Sequence, residues 1–282
     1  MPLIELGELS KKILGSPPKQ VLSLALGLTI AALSGCAIKS ATEHLISGNE
    51  YFKSGDYTKA ETEYRQALRL EPNSSTASNN LGVILNELGK YDEAIEILRK
   101  ATTVDPKNAI AHYVLAQALN HKQLYEEAIA EARRAVALDQ TEPAGHRALA
   151  DAALGKGDLQ LAVDECRYVV QLDPDNDLSH HKLAMALGQA GDLEGEIAEE
   201  KRALELNPDN VEAQINLAIG LHDRGSAAEA VGEIRKILAK DPANSQARKY
   251  LDLFEPAAEG KPDQEVKPAP AKGAVSQGKK QL

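Results

Sequence analysis

Four histidines of the 282-residue chain, His44, His112, His146 and His180, are separated by 34 or 68 residues. Imidazole is a frequent metal ligand and general base, so this row is where chemistry would first be sought. Equivalent positions of packed helical units lie about 8–10 Å apart, whereas Zn–N bonds are about 2.0–2.1 Å long. The row therefore cannot close around one ion, and neighbouring His180 and His181 diverge on a helix. Cys166 shares its position with Tyr64, Leu98, Ala132 and Ile234, which reads as burial of a small hydrophobe. No nucleophile elbow, phosphate loop, HExxH or CxxC pattern occurs. The chain thus reads as noncatalytic, with no cofactor, metal or small-molecule substrate. A net charge of -10 with no basic stripe excludes nonspecific nucleic-acid binding.

The elements that carry these residues repeat on the same interval. Pro72, Pro106, Pro174, Pro208 and Pro242 occupy a 34-residue grid whose one vacancy is Gln140, and Gly55, Gly89, Gly157, Gly191 and Gly225 precede it by seventeen residues, with Gln123 out of line. Apolar residues recur at helical spacing, as in Leu81, Ile84, Leu85 and Leu88, then Ala94, Ile95, Leu98 and Ala101. Each unit is a helical hairpin. Glycine ends the first helix in a left-handed conformation, proline ends the second, and Asn108, Asn176, Asn210 and Asn244 cap the next.

The Leu-Gly, alanine and proline columns resemble the tetratricopeptide repeat family. The resemblance implies an all-α, right-handed α-solenoid of six hairpins, with Ser245 to Phe254 as a capping helix, together residues 41–256. In that family the histidines replace a packing tryptophan. The first helices would line a concave groove with Asn49, Phe52, Lys53, Asn79, Val83, Asn86, Tyr113, Gln117, Asn120, Arg147, Asp151, His181, Met185, Ile215, Ile219 and His222. Amides interleaved with apolar residues suit an extended peptide or another envelope protein. Family members that clamp chaperone C-termini use cations at positions held here by Leu45, Ile110 and Val114, and only Asn49 and Asn80 match, so chaperone-tail binding is not expected. Aromatic residues are 4% of the chain, which argues against a site built on exposed aromatic platforms.

The ends belong to other classes. Lys11, Lys12 and Lys19 precede an uncharged apolar run, Val21 to Leu33, that closes on Leu33-Ser34-Gly35-Cys36. This pattern reads as a secretory signal and resembles a bacterial lipobox. The resemblance implies a signal peptide over 1–35, diacylglycerol modification of Cys36, and a short tether over 36–40. It further implies attachment to the noncytoplasmic face of a bacterial membrane, the outer membrane where the organism has one. An uncleaved transmembrane anchor with a self-association or structural role stays open, because Gln20 to Ile38 is long enough to span a bilayer. Residues 257–282, rich in Pro, Ala and Lys, read as a disordered tail.

The fifth unit departs from its siblings. Glu196 and Glu200 stand where the others have alanine and a mostly apolar residue. Unpaired burial would be costly, so the expectation is a loose helix whose acids reach solvent or Lys182, Lys201 or Arg202.

Overall fold

The computed structural model describes residues 39–255. Cys36, the signal-peptide run and the C-terminal tail lie outside them. The described residues form thirteen helices and no strand. Packing divides the chain into two compact units, the first ending at Pro174 and the second beginning at Asp175.

The first unit holds four hairpins: α1 (Ala41–Lys53) with α2 (Tyr57–Leu70), α3 (Ser75–Glu87) with α4 (Tyr91–Val104), α5 (Ala109–His121) with α6 (Tyr125–Leu138), and α7 (Pro143–Lys156) with α8 (Leu159–Leu172). Each first helix starts on a side-chain cap. Ser40 and Glu43 form a reciprocal capping box on α1, and Ser74, Asn108 and Glu142 accept backbone N–H groups of α3, α5 and α7. The turns between paired helices carry the glycines with φ of +70° to +92°, and Gln123 adopts the same left-handed backbone at +61°.

The hairpins hold together by exchanging large for small residues. A Cβ on Gly48 would lie 2.5 Å from the Tyr64 ring, and one on Gly82 would lie 2.7 Å from Leu98. The missing side chains let α2 and α4 lay a large group across their partner helices, which leaves Tyr64 and Leu98 buried beside Leu81, Ile84 and Leu85. Ion pairs repeat along the second helices, Arg65 with Glu93 and Arg99 with Glu127 at the same 28-residue offset. Being exposed, each contributes under about 1 kcal/mol.

The second unit holds α9 (Asp177–Ala190) with α10 (Leu193–Leu206), α11 (Val211–Asp223) with α12 (Ala227–Lys240), and the lone helix α13 (Ser245–Phe254). Asn176, Asn210 and Asn244 cap α9, α11 and α13 as their positions predict. Helix α13 closes the apolar end of α12, where Phe254 is buried and stacks on His222 with ring centroids 4.3 Å apart. The structure corrects the expectation for Glu196 and Glu200. Neither reaches solvent, at 7% and 0% exposure. Glu196 lies over Gly188, where a Cβ would come within 2.4 Å of its Oε2, so the backbone gap admits the carboxylate.

Candidate functional site

The histidine row has a defined structural job. His44, His112, His146 and His180 each place Nδ1 2.6 Å from a glutamate nineteen residues on, at Glu63, Glu131, Glu165 and Glu199 of the paired second helix. Nε2 of His112 and His146 also lies 3.1 Å from the carbonyl oxygens of Pro106 and Gln140. Each of these two rings ties a first helix to its partner and to the incoming turn. Sequence reasoning found their packing role and missed the glutamates, whose recurrence at Glu63, Glu131, Glu165, Glu199 and Glu233 was the available signal. Among the described residues no group of three or more His, Cys, Asp or Glu is arranged to hold a metal ion. Cys166 is buried, in keeping with its column.

Two clefts of the first unit are lined mainly by its first helices. One, about 280 Å³, is lined by Asn49, Phe52, Lys53, Tyr64, Asn80 and Val83. Asn49 Oδ1 accepts both the Tyr64 hydroxyl at 2.8 Å and Asn80 Nδ2 at 3.0 Å, so the two asparagines are locked beside an apolar wall. Burial raises the Tyr64 pKa, which keeps the hydroxyl a donor. The other cleft, about 370 Å³, spans α3, α5 and α7 with the start of α4 and is lined by Asn86, Glu87, Tyr91, Gln117, Asn120, His121, Ala148 and Asp151. Asn86 donates from Nδ2 to the Val114 carbonyl at 3.2 Å, which fixes its amide orientation. The buried Oδ1 atoms of Asn86 and Asn120 have no hydrogen-bond donor. A buried unsatisfied acceptor costs about 1–3 kcal/mol.

Eight of the sixteen residues read from sequence as groove-lining meet in these clefts: Asn49, Phe52, Lys53, Val83, Asn86, Gln117, Asn120 and Asp151. Tyr113 is half-buried, with its pKa raised by burial and by the charge of Glu142, and Arg147 is exposed. Three placements need correction, because Asn79, His181 and Ile215 are buried at 6%, 4% and 3% exposure. Asn79 bonds side chain to side chain with the α5 cap Asn108 at 3.3 Å, so it seals the joint between successive first helices. Ile215 belongs to the apolar core of the second unit. Met185, Ile219 and His222 are half-buried in that unit. Tyr91 and His121, which sequence reasoning passed over, stack with centroids 4.5 Å apart and planes 10° apart. A flat aromatic wall therefore exists despite the low aromatic content.

His181 Nδ1 lies 2.9 Å and 3.0 Å from the two carboxylate oxygens of Glu200, and Glu212 stands 4.0 Å from Nε2. Burial opposes charge on this ring, and the hydrogen bond and charge of Glu200 outweigh it, raising the His181 pKa. Burial raises that of Glu200, with Glu196 adding to the effect and His181 and Asn216 opposing it. The pair holds protons more tightly folded than unfolded.

Two family profiles described as tetratricopeptide repeat match, one over residues 47–103 and 87–143 and the other over 189–267. No curated protein sequence matches. Among solved structures the chain is similar to PilW, a widely conserved type IV pilus biogenesis factor, with a TM-score of 0.70 and 19% identity over 76% of this chain and all of that one. It is also similar to pilF of Pseudomonas aeruginosa, with a TM-score of 0.63 and 17% identity over 76% of this chain and 97% of that one. A third likeness is to YrrB, a TPR protein with an unusual peptide-binding site, with a TM-score of 0.55 and 17% identity over 67% of this chain and 97% of that one. At these identities the structural likeness speaks to fold alone. The 34-residue grid, the capped hairpins and both profile matches agree, and the chain belongs to the tetratricopeptide repeat family.

Proposed function

We propose that this protein is a noncatalytic scaffold, lipid-anchored through Cys36 at the noncytoplasmic face of a bacterial membrane, that docks an extended segment of another envelope protein on the first-helix face of its first unit. The observation that carries the docking is the pair of amide-rich clefts, lined by Asn49 and Asn80 in one and by Asn86, Gln117 and Asn120 in the other. Backbone N–H groups of an extended chain are donors at regular intervals, and the apolar wall of Phe52 and Val83 suits alternate side chains. The layout shared with PilW and with the peptide-binding YrrB favours assembly of an envelope machine, such as a secretin or pilus, over catalysis. Barrel assembly or recruitment of a cell-wall enzyme are further jobs of the same kind. Attachment is proposed from the lipobox; among the described residues no helix is long and apolar enough to cross a membrane.

The docking is tested by photo-crosslinking in the source bacterium, with a photoreactive residue at Val83 or Gln117 and a control at exposed Arg133. A single partner segment crosslinked from the first two positions and absent from the third is the expected result. Identical patterns from all three would sink the reading. For the anchor, intact mass of the native protein beside Cys36→Ala reports cleavage and acylation together, and an uncleaved, unmodified native chain would replace the lipid by a transmembrane anchor.

A further inference from the structure

We infer that the second unit carries its own docking site, between α10, α11 and α12, for a partner protein segment that presents an aromatic side chain next to a carboxylate. The site is separate from the two clefts of the first unit and does not rest on the docking reading above. A cavity of about 620 Å³ opens there, within the usual 300–1,000 Å³ of ligand pockets, and Leu204, Leu217, Pro208 and Ala239 give it an apolar lining.

The cavity has an identifiable origin. In the fourth hairpin the same columns of the repeat hold His146 and Tyr168, whose ring centroids lie 4.4 Å apart, whereas the sixth hairpin puts Gln214 and Lys236 there. Gln214 replaces one bond of the missing histidine, reaching Glu233 through Nε2 at 3.3 Å. The other bond, which His146 makes to the carbonyl of the incoming turn, is taken over by Lys240, whose Nζ lies 3.3 Å from the Pro208 carbonyl oxygen. The polar duties of the histidine are thus covered, and its volume is not. A joint that holds two rings in the fourth hairpin holds none in the sixth, so a ring from outside suits the space and gains by leaving water for the apolar lining.

The rim supplies the charge preference. Of the glutamates that line the cavity, Glu233 pairs with Lys236 at 2.7 Å and Glu205 with Arg202 at 3.0 Å, and Lys240 pairs with Asp209 at 2.7 Å. Exposed Lys201 has no ion pair among the described residues. A carboxylate that arrives beside the ring therefore finds a cation with no competitor, while a second cation would be repelled by it. An exposed pair of this kind is weak, so the ring contributes most of the affinity and Lys201 the selectivity.

The test titrates the full chain, methyl-labelled at leucine, with the end-blocked tetrapeptides Ala-Phe-Glu-Ala, Ala-Phe-Gln-Ala and Ala-Ala-Glu-Ala, and reads binding from the NMR shifts of the Leu204 and Leu217 methyl groups. The Phe-Glu peptide is expected to bind about threefold tighter than the Phe-Gln peptide, and the peptide without a ring should give no saturable shift. Lys201→Gln, at an exposed position where folding is not at risk, should weaken the Phe-Glu peptide about threefold and leave the Phe-Gln peptide within twofold. The double variant Gln214→His with Lys236→Tyr rebuilds the filled joint of the fourth hairpin, and it should abolish binding of every peptide while raising the melting temperature. Equal affinity for the Phe-Glu and Phe-Gln peptides, binding that survives the double variant, or no shift at either leucine would each overturn the site. None of these results bears on crosslinking at Val83 or Gln117, so failure here leaves docking on the first unit standing.

Discussion

The hairpins α1/α2 and α9/α10 place different chemistry at the same column of one repeat. In the first, Tyr64 lies across Gly48, almost fully buried, and its hydroxyl reaches Asn49. In the second the equivalent residue is Glu200, fully buried against His181, with Glu196 in the neighbouring alanine column. One backbone therefore supports an apolar joint in one unit and an ionisable joint in the other. The apolar joint needs only a matching gap. The ionisable joint needs a partner of opposite charge, a second hydrogen bond from Asn216, and a glycine at Gly188 to admit the extra carboxylate. The repeat dictates where helices meet and leaves open what they meet with.

The largest test of this contrast removes the apolar joint. Tyr64→Ala should cost about 4 kcal/mol, within the range for aromatic deletions from a core. Hydrogen exchange should place the loss in α1 to α4 and spare α9 to α12; equal loss in both regions would show that the two units do not differ as described. Next, His181→Leu should destabilise the protein by about 3 kcal/mol by leaving Glu200 buried without its partner. The double change His181→Leu with Glu200→Leu should restore or exceed native stability in urea unfolding, since a well-packed apolar pair often matches a buried ionic one. A double variant as unstable as the single one would break the comparison.

A smaller effect is the pH response of the second unit. His181 and Glu200 both have pKa values raised by folding, so their contribution is present at low pH and is lost as pH rises through the folded-state values. Asp177 and Asp209 are shifted down, so their contribution is already complete above about pH 5 and adds no slope near neutrality. Hydrogen-exchange protection of α9 and α10 should therefore fall as pH rises past the ordinary glutamate and histidine values of 4.5 and 6.5, by no more than about 1.4 kcal/mol per pH unit for each proton. The His181→Leu, Glu200→Leu double variant should lose this dependence. The smallest effect compares the turns between paired helices. Gln123 holds a left-handed backbone that glycine holds at the other five turns, so Gln123→Gly should raise stability by about 1 kcal/mol. An unchanged melting temperature would show that the strain is relieved locally.

Much of the cleft lining was legible in the sequence. Asn49, Val83, Asn86, Gln117, Asn120 and Asp151 follow from the repeat alone, because a fixed helical phase puts the same columns on the same face. Asn79, His181 and Ile215 occupy one column that the phase places near the boundary of that face, and their neighbours turned them inward. Nothing local to His181 announces Glu200 nineteen residues away, and nothing local to Tyr91 announces His121. These partners meet across different helices, and the side chains between them decide whether they touch.

The sequence by itself determined the hairpins, their ends and their order. Glycine, proline and asparagine act on their own backbone or on that of the next few residues, and an interval repeated six times leaves little choice of partner. Only the tertiary structure decided which polar groups are buried, which carboxylate holds which histidine, and where a gap between helices became a cleft. Those outcomes depend on the volumes and charges of side chains distant in sequence, which a column of like residues does not encode.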